Sequence, residues 1–164
     1  RRSLEPSVKR TDKLDEKSDR EDAWRHAHKR SPGPSMIADT TFLIDYLNGH
    51  KGAVNLLAKN PDIQIKTTYI NVYELLIGTK HEKTSDQNIR IANALIENIE
   101  TLGLDRKSAD TAAEISARLI KAGQKIEASD ALIAGIALSN GENQIITANK
   151  NHFERIPGLK IITY

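Results

Sequence analysis

The chain has no cysteine, a single methionine and tryptophan, and only two phenylalanines among its 164 residues. Without cysteine there is no disulfide framework and no thiolate zinc site, a composition suited to a reducing cytoplasm. No apolar run approaches the length of a membrane span, and the charged N-terminal stretch lacks the apolar segment of a signal peptide. The expectation is a soluble, cytoplasmic protein with no membrane attachment. A strong excess of one charge is also lacking: 24 Lys and Arg face 22 Asp and Glu, a net +2. That balance is uneven along the chain, because residues 1–35 hold ten basic and seven acidic side chains and residues 36–164 hold fourteen and fifteen. The second part, at −1, is therefore not a generic basic nucleic-acid binder, and any grip on phosphates must come from a local patch or from metal ions.

Residues 1–35 carry few apolar side chains and end in Ser31-Pro32-Gly33-Pro34-Ser35. They cannot bury enough surface to fold alone. Met36 stands directly before the first strand-like run, so the reading is a disordered or expression-derived leader followed by one domain over 36–164. A short helix over Lys17–Arg30 is the alternative for part of the leader.

From Met36 onward, short β-like runs alternate with helical patterns. Strands are expected at Met36–Ala38, Ile63–Thr67, Thr101–Leu104, Gln144–Thr147 and Lys160–Thr163. Helices are expected at Phe42–Leu47, Gly52–Lys59, Ile70–Lys80, Gln87–Glu100, Arg106–Ala122 and Asp130–Asn140. Such alternation implies an α/β fold, a three-layer α/β/α sandwich around a central, mainly parallel sheet.

Three carboxylates interrupt apolar surroundings, and burying each is costly unless a proton, a cation or several hydrogen bonds compensate it. Asp39 follows the first strand, at the carboxyl edge where open α/β sheets place ligand sites, or else it caps the next helix. Glu74 shares a helical stripe with Ile70 and Ile77, either as a functional acid or as an edge residue reaching water. Asp130 opens a helix apolar nearly all round, as a cap or as a group facing Asp39. Asn149 follows another strand, as a turn residue or as a neutral oxygen ligand. Arg118, Lys121 and Lys125 lie at i, i+3 and i+7 just before Asp130, a stripe able to follow a nucleic-acid backbone or simply a solvated face. Asp45 and Glu127 either join the site or face water, and His152 is read as structural, outside any metal shell.

The ordered set Ala38-Asp39-Thr40-Thr41-Phe42-Leu43-Ile44-Asp45, Tyr73-Glu74-Leu75-Leu76-Ile77-Gly78, Ile126-Glu127-Ala128-Ser129-Asp130-Ala131-Leu132-Ile133-Ala134 and Ile146-Thr147-Ala148-Asn149-Lys150-Asn151-His152-Phe153 resembles a PIN domain, and among those the VapC-type ribonuclease toxins. The resemblance implies an acidic Mg²⁺ or Mn²⁺ site, cleavage of single-stranded or looped RNA by in-line attack of water, a cognate antitoxin and a homodimer. On that reading Asp39 and Asp130 are the main metal ligands. Glu74 acts directly or through a water, Thr40 or Thr41 hydrogen-bonds a ligand or phosphate, and Asn149 completes the shell. Many PIN domains have Asp where this chain has Asn149, which bears on whether a second metal binds. Two rivals remain. A phosphatase of the haloacid dehalogenase type wants a second Asp two residues after Asp39, where this chain has Thr41. A catalytically weak PIN-like domain would serve as an RNA- or protein-binding module, with the Trp24-Arg25 segment as a candidate antitoxin-like arm.

Overall fold

A computed structural model describes residues 33–81 and 86–164. The Lys17–Arg30 helix and the Trp24-Arg25 arm fall outside the described residues. Five strands form one sheet: β1 (Ser35–Ala38), β2 (Gln64–Thr68), β3 (Glu100–Leu102), β4 (Gln144–Ile146) and β5 (Lys160–Ile162). Seven helices are described between them: α1 (Thr40–Leu47), α2 (Lys51–Lys59), α3 (Tyr69–His81), α4 (Asp86–Asn98), α5 (Arg106–Lys121), α6 (Ala128–Ser139) and the single turn α7 (Lys150–Phe153). The expected strands and helices are all present within one to two residues at nearly every end. Glu100 belongs to β3 rather than to α4, and α7 is an addition, because four residues are too few to show a helical period.

The sheet order is β3-β2-β1-β4-β5, and every neighbouring pair runs parallel. The chain winds outward from β1 through β2 to β3, then crosses to the other side of β1 to lay down β4 and β5. The direction of winding thus reverses between β1 and β4, and the crevice beyond their carboxyl ends is where such sheets accept ligands.

Alternation along the strands splits the core in two. Ala38, Ile65 and Ile146 pack against Phe42, Leu43, Tyr46, Leu75, Ala92 and Leu95 on one side of the sheet. Ile37 and Ile145 pack against Ile115, Leu119, Ile133, Ala134 and Phe153 on the other. Adjacent strand residues serving opposite layers is the signature of a sheet buried on both faces. The second layer is unusually tight at one place: a Cβ on Gly135 would sit 2.6 Å from Ala112 Cβ and 2.7 Å from the Ser108 carbonyl oxygen. Only glycine lets α5 and α6 approach so closely, and this contact helps to place α6 and its Asp130 against the sheet.

A candidate active site at the sheet reversal

Asp39 is the first residue beyond β1. Its N–H donates to the Ile146 carbonyl at 3.0 Å, so its main chain bridges β1 and β4 at the reversal. It occupies the N-cap position of α1 but makes no side-chain cap hydrogen bond. The carboxylate turns instead into a ring of neutral donors. Asn71 Nδ2 donates to Oδ1 at 3.1 Å, while Thr41 and Thr147 hydroxyls donate to Oδ2 at 2.9 and 2.8 Å. Asp39 is 4% exposed, and these bonds are what make the burial of an ionised group tolerable.

The ring is itself braced. Asn71 is fully buried, and its Oδ1 accepts from the Thr68 hydroxyl at 2.7 Å, which orients the amide so that Nδ2 faces Asp39 and the Thr40 hydroxyl. Thr40 Oγ1 in turn donates to Glu74 Oε2 at 2.5 Å. Thr147 Oγ1 accepts from the Asn149 N–H at 2.9 Å, and Thr41 Oγ1 accepts from the Ala148 N–H at 3.1 Å. Thr67, beneath, donates to the Ala38 carbonyl at 2.9 Å and fixes the end of β1 from the neighbouring strand.

Asp130 is the third residue of α6, whose N-cap position belongs to Glu127. It too is buried, and His152 Nδ1 from α7 lies 3.0 Å from its Oδ2. Burial holds the Asp130 carboxyl above the ordinary carboxylate range. The hydrogen bond and charge of His152 oppose that push, and the charges of Asp39 and Glu74 add to it. Asp130 is therefore within electrostatic range of both Asp39 and Glu74.

Other expectations fare differently. Asn149 is exposed; its main chain is tied to Thr147, but among the described residues no hydrogen bond joins its side chain to the carboxylates. Arg118, Lys121 and Lys125 are exposed at the end of α5 and in the loop leading to α6. Asp45 accepts from the Tyr164 hydroxyl at 2.8 Å, and Glu127 is exposed. His152 is not remote from the acids: the α7 turn folds it onto Asp130, a proximity hidden because 22 residues separate the two. Sequence reasoning also misses Asn71, Thr68 and Thr147. Their only trace is polarity within or beside apolar runs, which is equally the mark of a turn.

Among the described residues no three His, Cys, Asp or Glu side chains crowd into a ready-made cage. The donor set nonetheless suits a hard divalent cation. It is rich in oxygen, it sets Asp130 within electrostatic range of Asp39 and Glu74, and among the described residues no Lys or Arg forms a salt bridge with any of the three.

Comparison with known proteins bears on the family and the fold. The PIN domain model matches residues 36–159. The chain is 33% identical over 92 residues to the tRNA(fMet)-specific endonuclease VapC of Salmonella typhimurium, covering 56% of this chain and 69% of that protein. The DNA-bound VapBC structure from Salmonella typhimurium superposes with a TM-score of 0.71 at 26% identity, covering 80% of this chain and 98% of that one. VapBC2 of Rickettsia felis, bound to a promoter DNA fragment, gives 0.68 at 25% identity, covering 79% and 98%. The fold, the reversal of winding that carries Asp39 and the match over nearly all described residues lead to one conclusion: the chain belongs to the PIN domain family.

Proposed function

We propose that this chain is an endoribonuclease that hydrolyses phosphodiester bonds in single-stranded or looped RNA and acts as the toxin of a toxin-antitoxin pair. The observation that carries the reading is Asp39, a buried carboxylate held by three neutral donors in range of Asp130 and Glu74, with no Lys or Arg salt-bridged to any of the three among the described residues. Neutral donors hold such a group in place without cancelling its charge, which leaves that charge for a ligand.

Asp39 and Asp130 would hold Mg²⁺ or Mn²⁺, with Glu74 as a direct or water-linked third ligand. When bound, the ion supplies charge neutralisation at the scissile phosphate and a more acidic water. The chain's own groups do the rest. Thr41, Thr147 and Asn71 keep Asp39 in one rotamer, so no reorganisation is needed when the phosphate arrives. Glu74, steadied by Thr40, orients the attacking water. Arg118, Lys121 and Lys125 draw the RNA backbone toward the Asp130 end of the crevice, and Asn149 offers a neutral oxygen at its rim.

Because curated relatives are named for tRNA(fMet) and solved structures of similar fold include toxin-antitoxin complexes, initiator tRNA is the first substrate to try and a cognate antitoxin the first partner. A homodimer and a cytoplasmic site of action complete the proposal. Among the described residues no helix is long and apolar enough to cross a membrane. The domain is expected to function without residues 1–35, although β1 takes in Ser35, whose hydroxyl bonds Glu142 at 2.6 Å. The test incubates the full chain with initiator tRNA, other tRNAs and single-stranded oligonucleotides, in Mg²⁺ or Mn²⁺ and in chelator. Endonucleolytic cuts that vanish in chelator support the reading. RNA binding without cleavage in either metal would favour the binding-module alternative.

A further inference from the structure

Asp39 and Asp130 differ in how they are held. Three side chains bond Asp39. Among the described residues a single side chain, His152, bonds Asp130. We infer that His152 is a positioning residue whose Nδ1–H fixes the Asp130 carboxylate for cation binding, an inference that rests on the cation-dependent nuclease reading above.

The placement of the imidazole is built rather than incidental. His152 lies on the one-turn α7, directly before Phe153, which is fully buried against Ile37 and Ile145, and the chain is pinned again at Ile156. The His152 N–H bonds the Asn149 carbonyl at 3.1 Å and the Glu154 N–H bonds the Lys150 carbonyl at 2.9 Å, so the turn is closed on itself. Phe153 thus fixes where α7 sits, and α7 carries the half-exposed ring to Asp130 Oδ2. An ionised carboxylate only accepts, so the bond requires the proton on Nδ1 and leaves Nε2 for solvent. The bond occupies one Asp130 oxygen and limits rotation of the carboxylate about its stem. Partners that orient a ligand in this way typically change metal affinity or activity by about 10- to 100-fold when removed.

Three variants of the full chain separate this role from a surface contact. His152→Phe keeps an aromatic ring and removes the donor. His152→Asn places an amide N–H near the position of Nδ1, and His152→Gln places one near Nε2. Mn²⁺ affinity by titration calorimetry should fall about tenfold or more in His152→Phe and His152→Gln and recover largely in His152→Asn. Cleavage of initiator tRNA should follow the same order at saturating Mn²⁺ less steeply than below saturation, with KM for RNA unchanged. Without metal, the ring ¹⁵N spectrum should report the Nδ1–H tautomer in the unmodified chain and a tautomer mixture in Asp130→Asn. Equal Mn²⁺ affinity in all three variants and the unmodified chain would overturn the inference. So would equal loss in all three, or an Nε2–H tautomer. If the unmodified chain bound no Mn²⁺ and cut no RNA, the nuclease reading itself would fall, a result distinct from variants that merely match an active parent.

Discussion

Two aspartates at one crevice illustrate two ways of holding a charge. Asp39 belongs to the core: it is 4% exposed, its N–H is bonded to β4, and its oxygens are taken up by Asn71, Thr41 and Thr147. Asp130 belongs to the rim of α6, with one half-exposed imidazole for company and two like charges nearby. The first is held by three side chains and the second, among the described residues, by one.

The harshest way to break the comparison is to neutralise either acid. Asp39→Asn and Asp130→Asn should each reduce RNA cleavage below detection in a single-turnover assay with Mn²⁺, since each would remove a charged ligand of the proposed cation while preserving shape. Their effects on folding should diverge. Asn at position 39 places an NH₂ group where hydroxyl and amide donors already converge, whereas Asn at position 130 relieves like-charge repulsion.

Next in size is the ring around Asp39. Thr147→Val deletes the buried hydroxyl that donates to Asp39 and accepts from the Asn149 N–H. Urea denaturation should show a loss of about 1–3 kcal/mol, the cost of leaving buried polar groups unpaired. Cleavage should fall with it.

The pH dependence sharpens the contrast further, and Asp105 provides the reference. It caps α5, where hydrogen bonds from the Ser108 hydroxyl and N–H hold its carboxyl below the usual range. Its contribution is present above the unfolded-state pKa of about 4 and is lost as pH falls through the folded value. Asp130 has the opposite sign. Burial raises its pKa, so its contribution is fully present below the unfolded pKa and disappears as pH rises through the higher folded value. In chelator, Asp130→Asn should therefore melt above the unmodified chain at pH 7 and lose that advantage near pH 4, while Asp105→Asn should melt below it at pH 7. Melting curves across that range check both signs.

The smallest effect is expected at the basic stripe. Arg118→Ala, Lys121→Ala or Lys125→Ala should weaken RNA binding modestly, without sequence preference, and lower the salt dependence by about one counterion each. Filter binding at several salt concentrations measures this.

How much of this was legible beforehand follows from the range of each signal. The strands, helices and parallel sheet were, because hydrophobic periodicity is local and Ile37 and Ala38 or Ile145 and Ile146 read as doubly buried pairs. Asp39, Glu74 and Asp130 stood out because charge in an apolar run is costly. Asn71 and Thr147 did not, since a buried Asn or Thr differs from a turn residue only through its partner, and the partner of Thr147 lies 108 residues away. The contact of His152 with Asp130 is hidden for the same reason: α7 is too short to show a period, and its closeness to Asp130 is set by where Phe153 packs.

The central claim is that Asp39, Glu74 and Asp130 form one cation site whose charge the protein leaves uncancelled. Titration of Mn²⁺ into the full chain, its Asp39→Asn variant and its Asp130→Asn variant, followed by calorimetry, tests it most directly. The account predicts saturable binding to the unmodified chain and its loss in both variants. Mn²⁺ binding of equal affinity in all three, or none in the unmodified chain, would contradict it.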